Sequence, residues 1–167
     1  MGYNSNDADF CIDNVLLVSS DLGYDYTDET QTLRYYAEKS GKKIGVAIPL
    51  WRIDVNNENL VETATVSHNF NIVVAENEMK VDAIQPNRGE FNFYAGDCLV
   101  SFAERHNMEV RGHTLVWHKQ LPAWISSNGM KNDQGYTREE LLQILKDHVT
   151  TFFSLFKGRV DEWDVVN

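Results

Sequence analysis

The 167-residue sequence is poor in cysteine, in basic residues and in long apolar segments. Its two cysteines, Cys11 and Cys98, stand far apart and outside any CxxC or Cys/His pattern, so no zinc site or disulfide framework is indicated. Fifteen Lys and Arg against 25 Asp and Glu give a net charge of −10, which argues against nucleic acid or an anionic membrane surface as a partner. No apolar stretch approaches the length of a membrane span. This composition is compatible with an uncharged partner.

The sequence does contain a regular alternation of short apolar runs and amphipathic segments. The apolar runs predict buried strands at residues 44–49, 72–75, 110–116 and 160–167. Helices are predicted at residues 27–40, 60–68, 94–107 and from 137 through 152. Thr27 would cap the first helix and Gly41 would end it, whereas Thr137 and Glu140 form a capping box at the start of the last helix.

Strands that alternate with amphipathic helices indicate parallel βα units. Such units form either an open, doubly wound sheet or part of a closed barrel. Neither a GxGxxG fingerprint nor a P-loop is present to favour the nucleotide-binding form of the open sheet. The predicted fold class is therefore α/β, with part of a (β/α)8 barrel as the favoured architecture.

Polar and aromatic residues follow the predicted strands, where a βα barrel places its working side chains. They would all face one rim: Glu76, Asn77, Glu78, Lys80, His113, Trp117, His118, Gln120 and Asn167. Carboxylate, amide, ammonium, imidazole and indole groups offer hydrogen-bonding forks and a stacking surface, which a hydroxyl-rich ring requires. A sugar is therefore a better candidate ligand than a phosphate.

Each of these residues has a simpler interpretation when it is taken alone. The charged residues after the second strand could belong to a solvated loop, and Trp117 and Trp124 could pack beneath a loop. His113 and His118 could bind a metal with a nearby glutamate, although the sequence lacks an HxH or HExxH spacing that would favour this. Three other histidines fall in predicted helices and are expected at the surface: His68, His106 and His148.

Longer motifs then resemble one particular family. The string RGHTLVWH at residues 111–118, followed by QLPAW at 120–124, closely resembles the signature of the xylanases of glycoside hydrolase family 10. Three more blocks agree in order and spacing: ENEMK at 76–80, IQPNRGEFNF at 84–93 and WDVVN at 163–167. The resemblance extends from about Leu33 to the end of the chain.

The resemblance implies a TIM (β/α)8 barrel, of which residues 23–167 would supply about the first four βα units. Residues 1–22 would be a linker or the end of an upstream β-sandwich carbohydrate-binding module, because residues 10–17 resemble the last strand of such a module. The implied activity is that of a retaining endo-1,4-β-xylanase without a cofactor. Xylan and xylo-oligosaccharides are the implied ligands.

The resemblance also implies roles for individual residues. Glu76, Asn77 and Lys80 would hold the sugar on the non-reducing side of the cleaved bond, and Glu78 would also serve binding rather than catalysis. The adjacent subsite would be lined by His113, Trp117 and Gln120, with His118 and Trp124 in support. Asn167 would bond the 2-hydroxyl of the reacting sugar. The acid/base is expected directly after Asn167 and the nucleophile on a later strand, so this chain contains neither.

Two departures from the family pattern stand out, namely Val81 where tryptophan is usual and Gly96 where alanine is usual. The first leaves the packing of the neighbouring subsite open. Two other functions also stay open, a non-catalytic xylan-binding fragment and a metal-dependent hydrolase barrel. The remainder of the barrel is expected in the same polypeptide or in a complementary chain. The intact protein is expected to be secreted, periplasmic or at the cell surface, with its signal peptide upstream of Met1.

Overall fold

The computed structural model describes residues 28–54, 56, 60–126 and 135–167. The helices are α1 Leu33–Lys39, α2 Val61–Asn69, α3 Val81–Ile84, α4 Tyr94–Arg105, α5 Ala123–Ser126 and α6 Arg138–Phe156. The strands are β1 Gly45–Ile48, β2 Ile72–Ala75, β3 Glu109–Val116 and β4 Glu162–Val166. Short 3-10 turns lie at Glu29–Gln31 and Leu50–Arg52. The predicted strand at 10–17 and the predicted domain boundary near residue 22 lie outside the described residues.

The strands form one parallel sheet in the order β1-β2-β3-β4. Every strand therefore lies beside the next one in the chain, as in consecutive units of a βα barrel. A doubly wound sheet would reverse its strand order at a switch point, and these four strands contain no such reversal. The predicted strands are thus confirmed, and their order favours the barrel.

Helices α4 and α6 cover one face of the sheet and form the core with it. The side chains of Val73 and Val110 point into this core, which also contains Phe102, Phe152 and Phe156. The rings of Phe152 and Phe93 meet edge to face with their centroids 5.6 Å apart. Phe152 makes a second such contact with Trp163 of β4, at 5.3 Å, so the aromatic cluster joins α6 to the last strand.

Gly112 is required where β3 and β4 meet. Its register partner on β4 is Trp163, and a Cβ atom built on Gly112 would lie 2.3 Å from two atoms of that indole ring. Any larger residue would have to displace the ring from the core. A glycine at this strand position thus permits the close approach of two neighbouring strands.

The other face of the sheet is polar at β3 and β4, whereas β1 and β2 place Ala47 and Val74 in register with Arg111 there. The described helices do not cover this face. Arg111 and His113 of β3 lie in register with Glu162 and Asp164 of β4. Arg111 forms ion pairs with both carboxylates, and His113 contacts Asp164. In a closed barrel this face would line the interior. Its polar side chains lead up to the rim where the candidate site lies.

The ends of the helices partly match expectation. The capping box is confirmed, since Glu140 N donates to Thr137 Oγ1 at 3.2 Å and Thr137 N donates to Glu140 Oε2 at 2.8 Å. Gly41 ends α1 with a φ of +65°. The start of α1 was predicted too early, because Thr32 caps it by accepting a hydrogen bond from Tyr35 N. Thr27 lies outside the described residues.

The expectation that His148 lies at the surface was wrong. His148 is only 3% exposed, because it occupies the inward face of α6, where its ring meets Phe152 edge to face at 5.3 Å. Burial disfavours the charged imidazole and lowers its pKa, and a contact with the backbone of Leu115 opposes this only in part. None of the described helices has both the length and the apolar character that a membrane crossing needs.

Candidate functional site

Strands β2, β3 and β4 end at one rim, and the residues that follow them form the candidate site. Backbone hydrogen bonds hold these exits in line: Glu76 N donates to Ile48 O at 3.2 Å, and Asn167 N donates to Val116 O at 2.9 Å. The predicted site residues are therefore placed side by side by the sheet itself. Glu76 and Asn167 are both exposed at this rim.

Asn77 lies at the centre of the site. Its Oδ1 accepts hydrogen bonds from Lys80 Nζ and from Gln120 Nε2, each at 3.2 Å. The loops after β2 and β3 are thereby joined through one amide oxygen. Lys80 is only 9% exposed, so its ammonium group is largely removed from water and keeps donors for a further acceptor. This arrangement can bind a ligand hydroxyl between an amide and an ammonium group.

Trp117 supplies an aromatic surface beside this cluster. Lys80 Nζ lies 5.0 Å from the centroid of its ring, and Lys119 Nζ lies 5.8 Å from it. The His118 ring meets the indole edge to face at 5.8 Å, and the His113 ring lies 6.3 Å away. His118 therefore packs against Trp117, and its supporting role stays a prediction.

His113 is oriented by a carboxylate that the sequence analysis did not single out. Its Nδ1 lies 3.0 Å from Asp164 Oδ2, and Arg111 Nε donates to the same oxygen at 3.2 Å. The hydrogen bond from Arg111 lowers the pKa of Asp164, helped by His113 and opposed by burial. Asp164 therefore stays ionised and holds Nδ1 of His113, which leaves Nε2 for a ligand.

A signal for Asp164 was present in the sequence. Arg111 and His113 alternate along β3, and Glu162 and Asp164 alternate along β4, so basic and acidic side chains share a face once the strands pair. The register that brings His113 opposite Asp164 is tertiary information. It cannot be read from either strand alone.

Both carboxylate oxygens of Glu78 accept hydrogen bonds from the backbone. Its Oε1 accepts a hydrogen bond from Leu50 N at 2.8 Å, and its Oε2 accepts one from Asn77 N at 3.1 Å. Both oxygens are therefore used by backbone groups, one after β1 and one beside the central amide. Glu78 positions Asn77, which leaves Glu76 as the exposed carboxylate after β2.

Trp124 holds the loop after β3 in place through two hydrogen bonds. Its Nε1 donates to the carbonyl of Gln85 at 2.9 Å, and its own carbonyl accepts a hydrogen bond from Tyr136. Asp82 N also donates to the carbonyl of Gln120 at 3.2 Å, and Gln120 itself has a φ of +49°. These contacts fix the backbone that presents Gln120 to Asn77, so Trp124 acts through packing.

The metal-binding alternative has no ligand set in the part of the chain that the structure describes, where no three His, Cys, Asp or Glu side chains group closely enough to hold an ion. The described rim instead combines amides, two imidazoles, an indole, two ammonium groups and the exposed carboxylate of Glu76. Such a set suits an uncharged ligand with many hydroxyls.

Comparison with known proteins identifies relatives of this arrangement. Residues 32–167 match the family model described as Glycosyl hydrolase family 10. Endo-1,4-beta-xylanase B of Thermotoga neapolitana is 44% identical over 137 residues, which cover 81% of this chain and 37% of that protein. Endo-1,4-beta-xylanase C of Paenibacillus barcinonensis is 41% identical over 133 residues, which cover 78% of this chain and 12% of that protein.

The fold agrees with solved structures of such proteins. The crystal structure of xylanase 10B from Thermotoga petrophila RKU-1 in complex with xylobiose superposes with a TM-score of 0.68 at 43% identity. The match covers 80% of this chain and 38% of that one. The chain therefore spans well under half the length of these relatives, and its four-stranded sheet corresponds to part of their barrel. The predicted fold is confirmed.

Proposed function

Because the chain belongs to glycosyl hydrolase family 10, we propose that the intact protein is a retaining endo-1,4-β-xylanase and that this chain supplies much of its substrate-binding side. The observation that supports this most strongly is the hydrogen-bonded cluster of Asn77, Lys80 and Gln120 beside Trp117. Two relatives bear the name endo-1,4-beta-xylanase, and a third has been crystallised with xylobiose. Xylan and xylo-oligosaccharides are the proposed ligands.

Each part of the rim has a proposed task in binding sugar. Lys80 and Asn77 bond the hydroxyls of the xylose on the non-reducing side of the cleaved bond, together with the exposed carboxylate Glu76. His113 lines the adjacent subsite through Nε2, with Trp117 as the stacking surface. The buried ammonium group gives the strongest of these contacts, because charge-assisted hydrogen bonds strengthen away from bulk water.

Asn167 is proposed to bond the 2-hydroxyl of the reacting sugar. That bond strengthens as the oxocarbenium-like transition state forms, so Asn167 would raise the rate as well as the affinity. The acid/base is proposed to follow Asn167 directly, and the nucleophile to lie on a later strand. The two carboxyls would then stand close enough for a covalent glycosyl intermediate.

The remaining strands are proposed to come from the same polypeptide or from a complementary chain. The described residues also expose apolar side chains that another part of a barrel would cover: Leu142, Phe153, Leu155, Val165 and Val166. We propose that the intact protein is exported and degrades xylan, and that the isolated chain is inactive.

A non-catalytic xylan-binding role is the second candidate function, because the hydrogen-bonded cluster around Asn77 needs none of the missing residues.

Replacement of Lys80 by alanine tests the site. In the complete barrel, Lys80→Ala should weaken xylo-oligosaccharide binding roughly tenfold to a hundredfold, because a charge-assisted hydrogen bond contributes about 1.5–3 kcal/mol. Isothermal titration would measure the dissociation constant, and circular dichroism would confirm folding. Lys119→Ala is the matched control, since Lys119 lies near the same indole but is exposed. The affinity of this variant for xylo-oligosaccharide should stay close to that of wild type. Equal affinity of wild type and Lys80→Ala would contradict the site.

A further inference from the structure

A second cavity lies behind the rim, between α3, the end of β3, α5 and the first half of α6. Its volume is about 200 Å³. Its walls are apolar: Val81, Leu115, Val116, Trp117, Leu121, Ile125, Leu141, Ile144 and Leu145. Two polar side chains complete the lining, Gln85 and His148. This cavity is separate from the hydrogen-bonded cluster around Asn77, although Trp117 borders both.

Gln85 places an unused acceptor at this cavity. The side chain is only 5% exposed, and its Oε1 is buried without a hydrogen-bond partner among the residues that the structure describes. The backbone carbonyl of the same residue is already bonded to Trp124. A buried acceptor without a donor costs free energy, and a ligand with one N–H or O–H group would recover it.

The cavity is mostly apolar, and among the described residues its polar side chains are Gln85 and His148. An apolar cavity of roughly 150 Å³ is known to bind benzene. A ring of this size with one added hydroxyl would fit the space, the apolar walls and the acceptor Gln85 Oε1. Both ring nitrogens of His148 are also buried without a hydrogen-bond partner among the described residues.

The small side chain of Val81 leaves the cavity open. Its side chain is buried and forms part of the wall, so a larger side chain at this position would occupy the space. Leu141 and Leu145, which are partly exposed on α6, lie at the cavity as well and leave a route from solvent.

We propose that this cavity binds a small, uncharged aromatic alcohol of the phenol class, with its ring between Val81 and the apolar face of α6 and its hydroxyl donating to Gln85 Oε1. This site is independent of the proposed xylanase function. Phenol should bind more tightly than toluene, which has a similar size but no donor. Benzoate should be excluded, because among the described residues no cationic side chain lines the cavity to balance its charge.

The test is a titration of the 167-residue chain with phenol, toluene and benzoate, followed by NMR or calorimetry. Wild type should bind phenol about fivefold more tightly than toluene, as a single net hydrogen bond predicts. Gln85→Leu should keep toluene binding and remove the preference for phenol. Val81→Trp should abolish binding of both phenol and toluene. This variant tests the location of the site even if Gln85→Leu fails to fold.

Val61→Trp is the matched control, because it adds the same indole at an exposed position on α2, away from the cavity, and should bind phenol as wild type does. Absence of saturable phenol binding to wild type would overturn the proposal. Undiminished binding to Val81→Trp would overturn it too, since the ligand would then lie elsewhere. Equal affinities of wild type for phenol and toluene would refute the role of Gln85.

Discussion

Two glycine-to-alanine substitutions should change stability in opposite directions. At Gly112 a new Cβ would lie 2.3 Å from two atoms of the Trp163 ring and 2.9 Å from a third, so the indole must leave its place in the core. Overpacking of this kind costs about 1–3 kcal/mol. At Gly96 the nearest atoms, on Phe156, Met79 and Glu78, would lie 3.4–3.6 Å away, which is ordinary contact. Because Gly96 lies in α4, alanine there should stabilise by about 0.5–1 kcal/mol.

Urea unfolding followed by tryptophan fluorescence would measure both effects. The Gly112→Ala midpoint should fall below that of wild type and the Gly96→Ala midpoint should rise above it, with similar slopes. Since the two variants add the same methyl group, each is a control for the other. A Gly112→Ala protein as stable as wild type would refute the close pairing of β3 with β4. Two shifts of the same sign would refute the packing described around one of these glycines.

Two further predictions concern ionisable groups. Asp164→Asn should weaken xylo-oligosaccharide binding about fivefold, because loss of one hydrogen bond frees the His113 ring to move. The pKa of Asp164 is lowered by Arg111, so the stability that Asp164 contributes is present above an ordinary carboxyl pKa of about 4 and is lost at lower pH. The free energy of unfolding of Asp164→Asn should therefore fall less steeply than that of wild type as the pH drops below about 4. His148 has a lowered pKa, so the unfolded chain takes up a proton below its ordinary value of 6.5 while the folded chain does not, and stability should fall as pH drops below that value. His148→Phe should remove this dependence in urea midpoints compared between about pH 5 and pH 8, and an unchanged dependence would refute the burial of the neutral ring.

The sequence was sufficient to predict the elements with strong local signals. The strands followed from apolar runs, and the start of α6 followed from Thr137 and Glu140, whose hydrogen bonds are local. The start of α1 was misplaced, because Thr27 and Thr32 are equally good caps by type, and a 3-10 turn decides between them. The one-turn helices α3 and α5 are too short for periodicity to reveal.

The sequence identifies residues that directly follow strands, and the structure brings three of them together, Asn77, Lys80 and Gln120. What could not be predicted depends on groups that are distant in sequence. Glu78 is occupied by the backbone of Leu50, 28 residues away, and Asp164 reaches His113 across 51 residues. Burial of His148 likewise depends on how α6 packs on the sheet, which a helical pattern alone does not fix.

The most direct test of the proposed function is the release of reducing sugar from xylan by this chain alone, and again after mixing with a segment that carries the remaining strands. Activity in the mixture alone, reduced by Lys80→Ala and unaffected by Lys119→Ala, is the predicted result. Activity of the isolated chain would contradict the account, because the acid/base and the nucleophile would then lie within these 167 residues.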